Sequence, residues 1–278
     1  MTTIRPRRSM LYIPGDKPRA LEKAKTLACD AILFDLEDAV APENKERARV
    51  AIAEAVSAGG YGTRELILRV GAAECAEDFA LAEALPLDGV LLPKVESAAT
   101  IVAVAARTAH PIWCMIETPL GALRAAEIAA SSDRLAGFVA GTNDLAKDLH
   151  ARQTAARTPL LTALSLMVLA ARAHGLAVID GVHLDLDDLD AFEAVCRQGV
   201  ELGFDGKSLV HPNSIEIANR VFGPAPEEIA RARAMVAAWE AARAQGLGVA
   251  RIGGAMVEQL HVDQANRLIA LAEAIDRG

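Results

Sequence analysis

Ile112-Trp113-Cys114-Met115-Ile116-Glu117-Thr118 is an apolar run of strand length that stops at a carboxylate. It shows no polar alternation, which suits a strand covered on both faces, as in a parallel sheet packed under helices. Further along, Gly137-Phe138-Val139-Ala140 repeats the form and runs into Gly141-Thr142-Asn143-Asp144. The sequence between them is Ala-rich and charge-bearing, with helical spacing. The unit is therefore strand, polar strand end, helix.

Working outward, the same unit recurs. Strands are predicted over Ser9–Ile13, Ala31–Leu36, Leu66–Val70, Gly89–Leu92, Ala177–Ile179 and Lys207–Val210. Helical spacing lies between them, as over Pro18–Leu27, Glu43–Val56, Cys75–Leu85, Leu160–His174 and Leu189–Gln198. Pro42, Pro159 and Pro212 fall where a first helical turn tolerates a missing N–H. Eight strand-then-helix units predict an α/β (β/α)8 TIM barrel with a C-terminal helical extension. Alternation alone does not close a sheet, and an open doubly wound sheet satisfies the same spacing. Gly223-Pro224-Ala225-Pro226 breaks the pattern, so the barrel is expected over 1–222 and the extension over 223–278. The extension reads as an amphipathic helix to about Arg243, a Gly-rich turn and a helix near Val262–Ile275. It shows no strand pairing and is expected to serve as a lid or an oligomer arm.

A length of 278 residues suits one large barrel with an appendage, and 52% apolar residues supply its core. The net charge of −8 argues against a nucleic-acid surface. The first residues differ: Arg5, Arg7, Arg8, Lys17, Arg19, Lys23 and Lys25 face only Asp16 and Glu22. They are either solvated charge around a first helix or a landing site for an anionic group such as a nucleotide phosphate. Cys29, Cys75, Cys114 and Cys196 are widely spaced, which indicates neither a zinc site nor a disulfide framework and points to reduced thiols in a cytoplasm. Pro14-Gly15 ends the apolar run after the basic start, so no signal peptide is expected. The Leu160–Ala171 stretch is too short to span a bilayer, so no membrane role is expected.

In a barrel, residues just beyond the strand C-termini share one cavity. Asp35-Leu36-Glu37-Asp38, Arg69, Pro93-Lys94, Glu117-Thr118, Asp144 and Asp180-Gly181 all fall at such ends. Asp144 and Asp180 have structural readings as a helix cap and a turn closer. Glu117 follows a buried run outside any capping pattern. Carboxylates from adjacent strands with few His or Cys nearby make an oxygen-rich site for Mg²⁺, with Mn²⁺ an alternative. Glu117 and Asp144 are the candidate metal ligands, and Glu37 and Asp38 would hold metal-bound waters. Gly141 would let backbone amides approach an anionic substrate. Arg69 and Lys94 would balance the carboxylates and stabilise oxyanion charge; Arg69 also has a structural reading, an ion pair with Glu37 or Asp38.

Several segments together resemble a known family. They are Arg8-Ser9-x-Leu11-x-x-Pro14-Gly15, Asp35-Leu36-Glu37-Asp38-Ala39-Val40, Arg69, Pro93-Lys94-Val95, Glu117-Thr118-x-x-Gly121 and Gly141-x-x-Asp144-Leu145. Asp180-Gly181-Val182 and Gly203-Phe204-x-Gly206-Lys207-x-x-x-His211-Pro212 complete the set. The chain is similar to the citrate lyase β-subunit-like acyl-CoA lyases of the HpcH/HpaI aldolase superfamily, which include malyl-CoA and citramalyl-CoA lyases. The resemblance implies Mg²⁺ on Glu117 and Asp144, a substrate- or enolate-binding Arg69, and assembly as a homo-trimer or hexamer. It implies Claisen-type cleavage of a 3-hydroxyacyl-CoA to acetyl-CoA and a 2-oxo acid. The CoA phosphates need cations at the cavity rim, and Arg8 and Lys17 are the candidates.

Two departures stand out. Lyases of the family carry Gly-x-Met-[Ile/Val]-Asp-x-Pro in the tail, whose aspartate reaches a neighbouring subunit's site for proton transfer. Here Glu258 takes that place in Gly254-Ala255-Met256-Val257-Glu258, and the proline is absent. Glu258 keeps a carboxyl group for acid–base work on a longer side chain. Two residues after Arg69, where relatives often carry Asn, this chain has Gly71. Besides the lyase, the residues allow an acyl-CoA thioesterase on the same site, or a citrate lyase β-type subunit active only with partner subunits. A metal-dependent aldolase acting on free hydroxy-oxo acids shares the barrel and the metal pair.

Overall fold

The computed structural model describes residues 4–277. Eight parallel strands close on themselves: β1 (Ser9–Pro14), β2 (Ala31–Asp35), β3 (Glu65–Arg69), β4 (Gly89–Leu92), β5 (Ile112–Ile116), β6 (Leu135–Ala140), β7 (Ala177–Asp180) and β8 (Gly206–Leu209). The pairing of Ser9, Met10 and Leu11 on β1 with Lys207, Ser208 and Leu209 on β8 makes the closure and excludes the open sheet. Every residue of β2, β4 and β5 is buried, as their unbroken apolar runs require.

Successive side chains on a strand point to opposite faces, so each strand sends every second residue inward. Met10, Tyr12, Leu33, Ile67, Leu91, Trp113, Met115, Val139 and Ile179 pack together as one buried cluster. The alternation continues past them: two residues beyond Leu33, Ile67 and Met115 come Asp35, Arg69 and Glu117. The apolar filling therefore ends in a charged layer at the C-terminal mouth.

The helices begin and end where local chemistry dictates. The Thr118 hydroxyl accepts the Gly121 N–H at 3.1 Å and caps the helix Pro119–Leu123 directly after Glu117. The predicted helix from Glu43 opens as a 3₁₀ turn, Pro42–Asn44, before the helix Lys45–Ala58. The one predicted over Pro18–Leu27 stops at Ala24, and the one predicted to end at Gln198 runs on to Leu202, stopped by Gly203 at φ 97°.

Residues 7–219 form one compact unit, and residues from Arg220 onward belong with residues 4–6 to a second. In the second unit the helices Pro226–Ala244 and Gln259–Asp276 share a small core of Trp239, Ala242, Ala250, Val257 and Val262. The absence of strand pairing expected there is corrected. β9 (Ala250–Ile252) and β10 (Ala255–Val257) form an antiparallel hairpin. Gly253 and Gly254, at φ 55° and 85°, make the two-residue turn that such a hairpin favours. All four cysteines are free. Among the described residues no helix is long and apolar enough to cross a membrane.

Candidate active site

The strand C-termini surround a cavity of about 360 Å³ lined by Tyr12, Asp35, Asp38, Arg69, Met115, Glu117, Gly141 and Asp144, among others. Glu117 is 2% exposed. Its Oε1 accepts the backbone N–H of Lys94 at 2.7 Å. Lys94 sits at φ 51°, a left-handed conformation that a side chain rarely adopts. Burial pushes the Glu117 carboxyl up to about 7; the Lys94 N–H opposes the shift, and Asp144 and Glu37 add to it. Gly141 is sterically fixed, because a Cβ there would lie 2.2 Å from the Glu117 Cβ and 2.6 Å from its Oε2. Asp144 enters from the first turn of the helix Thr142–Asp148.

A buried carboxyl held near a second carboxylate is a poor arrangement without a cation. Among the described residues no three His, Cys, Asp or Glu side chains form a metal cage. Mg²⁺ does not need one, since it takes one or two carboxylates with water and substrate oxygens completing the shell. The donor set of Glu117 and Asp144 fits that demand.

Arg69 is the buried cation of the cavity. Its Nε and Nη2 donate to the two oxygens of Asp35 at 2.7 and 2.5 Å, and its Nη1 lies 3.0 Å from Glu37 Oε2. The guanidinium carbon stands 4.8 Å from the centre of the Tyr12 ring. Burial works against the guanidinium charge, but the hydrogen bonds and charge of Asp35 outweigh it and raise the Arg69 pKa. The expected partner, Glu37 or Asp38, is thus half corrected: Asp35 comes first, Glu37 second, and Asp38 is exposed at the cavity wall. Glu37 Oε2 also accepts the Asp38 N–H at 2.8 Å, and Lys45 Nζ donates to the Glu37 carbonyl at 2.7 Å, which pins this strand end. Lys94 Nζ is 3.6 Å from Glu37 Oε1 on a largely exposed side chain.

A model of the HpcH/HpaI aldolase/citrate lyase family matches residues 8–212. The chain belongs to that family. It is 49% identical over 277 residues to the (3S)-malyl-CoA thioesterase of Cereibacter sphaeroides, covering 97% of this chain and 96% of that one. It is 35% identical over 290 residues to the citrate lyase subunit beta of Leuconostoc mesenteroides subsp. cremoris, covering 99% and 96%. Among solved structures, the CitE protein of Mycobacterium tuberculosis in complex with magnesium, acetoacetate and coenzyme A superposes with a TM-score of 0.78 at 30% identity, covering 95% and 97%.

Within this family member, four expected site residues of the barrel do not line the cavity: Glu37 and Lys94, which reach it through Arg69 and Glu117, and Arg8 and Lys17. Arg8 precedes β1 at the N-terminal end of the barrel, opposite the cavity, where its Nε and Nη2 bind Asp30 at 2.9 and 2.7 Å. The expectation that it meets CoA is corrected, because a strand's start and its end face opposite mouths. Lys17 follows β1 at the cavity end, exposed and 3.4 Å from Asp16, but it does not line the cavity. Glu258 belongs to the second unit, exposed at the start of the last helix, with its N–H donating to His261 Nδ1 at 3.1 Å.

Asp180 does more than close a turn. It is fully buried and binds Arg157 Nη1 at 2.7 and 2.8 Å and Lys207 Nζ at 3.0 Å. Its strand neighbour Ile179 faces the interior, so this cluster sits outside the barrel wall, under the helices. Sequence reasoning placed Asp35 at a strand end without giving it a role, and missed Tyr12, Lys45 and Arg157. The inward alternation of Leu33, Asp35 and Glu37, and of Met10 and Tyr12, carried a signal for Asp35 and Tyr12.

Proposed function

We propose that this protein hydrolyses the thioester of a small hydroxy-dicarboxylic acyl-CoA of the malyl-CoA type, with Mg²⁺ as its metal. The observation that carries this reading is the 49% identity to a malyl-CoA thioesterase along nearly the whole of both chains, against 35% to a citrate lyase β-subunit. The cavity is of a size for the acyl portion, since small-ligand sites run from about 300 Å³ upward.

Glu117 and Asp144 would hold the cation, which when bound supplies Lewis-acid polarisation of the acyl group's own oxygens. Arg69 places fixed positive charge in a buried site, oriented in advance by Asp35 and Glu37. As water's oxygen joins the thioester carbon, negative charge grows on the carbonyl oxygen, and a preorganised cation favours that state. The C–S bond then breaks, and CoA leaves as a thiol with a proton from the attacking water. Gly141 lets the Glu117 side chain lie directly against the backbone, because no Cβ stands in its place.

A C–C lyase of the malyl-CoA, citramalyl-CoA or citryl-CoA type is the second reading. It is favoured by the same Arg69, because retro-cleavage also loads charge onto the thioester oxygen. Such a lyase needs in addition an acid to protonate the departing carbon, and Glu258 is the residue to supply it.

The purified protein with Mg²⁺ is given each of the three esters, and products are followed by mass spectrometry. Free CoA with malate is expected. Acetyl-CoA with a 2-oxo acid would overturn hydrolysis in favour of the lyase, and no turnover with Mg²⁺ or Mn²⁺ would overturn both. Activity only after adding partner subunits would select a β-type subunit.

A further inference from the structure

Tyr12 is buried, 8% exposed, and lines the cavity from β1. Its hydroxyl contacts the thioether Sδ of Met115 at 3.7 Å. Arg69 Nη1 points at the same sulfur at 3.6 Å. Two donors from two strands thus converge on one point at the cavity floor, and that point is occupied by a weak acceptor. A buried tyrosine hydroxyl ordinarily finds a stronger partner than a thioether. Burial raises the Tyr12 pKa well above its ordinary range; Arg69 opposes this, and Asp35, Glu117 and Glu37 reinforce it. The hydroxyl therefore keeps its proton and serves as a donor.

We propose that Tyr12 and Arg69 together form the binding site for the thioester carbonyl oxygen, the Tyr12 hydroxyl turning from Met115 to the substrate. The proposal rests on the reading of the substrate as a CoA thioester, and it holds for hydrolysis and for C–C cleavage alike. In both, charge develops on that oxygen, and a donor aimed at developing charge contributes more in the transition state than in the ground state. The Met115 sulfur keeps both donors pointed at one spot and costs little to leave. Arg69 supplies charge and Tyr12 supplies direction, since the ring it lies against fixes where the hydroxyl can reach.

Tyr12→Phe keeps the ring under Arg69 and removes only the hydroxyl. It is expected to lower kcat/KM by about 10²-fold, as loss of one oxyanion donor does, with the melting temperature within about 2 °C of wild type. A binding comparison tests the contact without turnover. One probe replaces the thioester sulfur of malyl-CoA by methylene, which gives an inert ketone; the other replaces the carbonyl by methylene, which gives a thioether. The variant should bind the ketone about tenfold more weakly, the worth of one hydrogen bond to a well-placed acceptor, and bind the thioether as wild type does. Equal affinity for the ketone, or equal loss for both probes, would overturn the Tyr12 assignment. A lower melting temperature with unchanged kcat/KM would overturn it too, leaving the hydroxyl a tether for Met115. Failure of the wild type to bind either probe would overturn the thioester reading itself, and the Tyr12 role with it.

Discussion

The two mouths of the barrel are both rich in charge, but they use it differently. At the N-terminal mouth Arg7 Nε and Nη2 bind Glu65 at 2.6 and 2.8 Å, Arg8 binds Asp30 at 2.9 and 2.7 Å, and Arg172 Nη1 and Nη2 bind Asp205 at 2.9 and 2.7 Å. Each arginine meets a carboxylate with two parallel hydrogen bonds, a geometry that fixes the strand starts. At the C-terminal mouth Asp35, Glu37, Glu117 and Asp144 gather, with Arg69, Lys94 and, on the Glu37 carbonyl, Lys45 as the cations beside them. Charge at one mouth is matched and holds the fold; charge at the other is left in excess, and an excess of buried carboxylate calls for a ligand.

The sharpest way to break this contrast is to remove the excess. Glu117→Ala, or chelation of the metal by EDTA, should lower kcat/KM by about 10³-fold or more, because the cation's charge stabilisation is worth several kcal/mol. A second readout is independent of turnover. Mg²⁺ should raise the melting temperature of the wild type and leave that of Glu117→Ala unmoved, since only a native state that binds the ion is stabilised by it. A variant that keeps full activity, or that Mg²⁺ stabilises as it does wild type, would end the metal assignment.

A smaller effect compares paired carboxylates at the two mouths. Asp35→Asn leaves the Arg69 guanidinium buried without its main counter-charge, at a cost of about 3 kcal/mol by urea unfolding. The same change should lower kcat/KM by about 10²-fold, because the freed guanidinium loses its orientation. Asp30→Asn at the other mouth should cost about 2 kcal/mol, the worth of a charged hydrogen-bonded pair, and leave kcat/KM within about twofold of wild type. If both variants lose stability and neither loses activity, Asp35 is structural and the contrast fails.

This contrast also explains which features could be read from the sequence. The strands were legible because a run buried on both faces has no polar alternation to blur it, as in Ile112–Ile116. Closure was not, because it rests on Ser9–Leu11 meeting Lys207–Leu209 from the far end of the barrel's chain. Glu117 showed itself as a carboxylate ending an apolar run. Asp35 was hidden in Asp35-Leu36-Glu37-Asp38, where composition draws the eye to the adjacent pair and period-two geometry selects Asp35 and Glu37. Arg8 was misplaced because a cation before a strand and one after it look alike until strand direction is applied. The β9–β10 hairpin was missed because three-residue strands are too short to show a period.

The smallest expected effect separates the two cations proposed for the CoA phosphates. Lys17 lies at the cavity mouth with its side chain 62% exposed, and its partner Asp16 is 3.4 Å away. An exposed lysine facing a phosphate contributes about 0.5 kcal/mol, so Lys17→Ala should raise the KM for the acyl-CoA about twofold to threefold with kcat unchanged. Screening should erase that difference at about 0.5 M salt, where the Debye length is only a few ångströms. Arg8→Ala removes the same single charge from a far less exposed side chain, and with it two hydrogen bonds to Asp30, yet it should leave KM unchanged at any ionic strength and lower only the unfolding midpoint. The larger structural loss thus goes with the smaller kinetic one. That inversion depends on strand direction alone, so a salt-sensitive KM in Arg8→Ala would place CoA at the wrong mouth and undo the assignment of the cavity to catalysis.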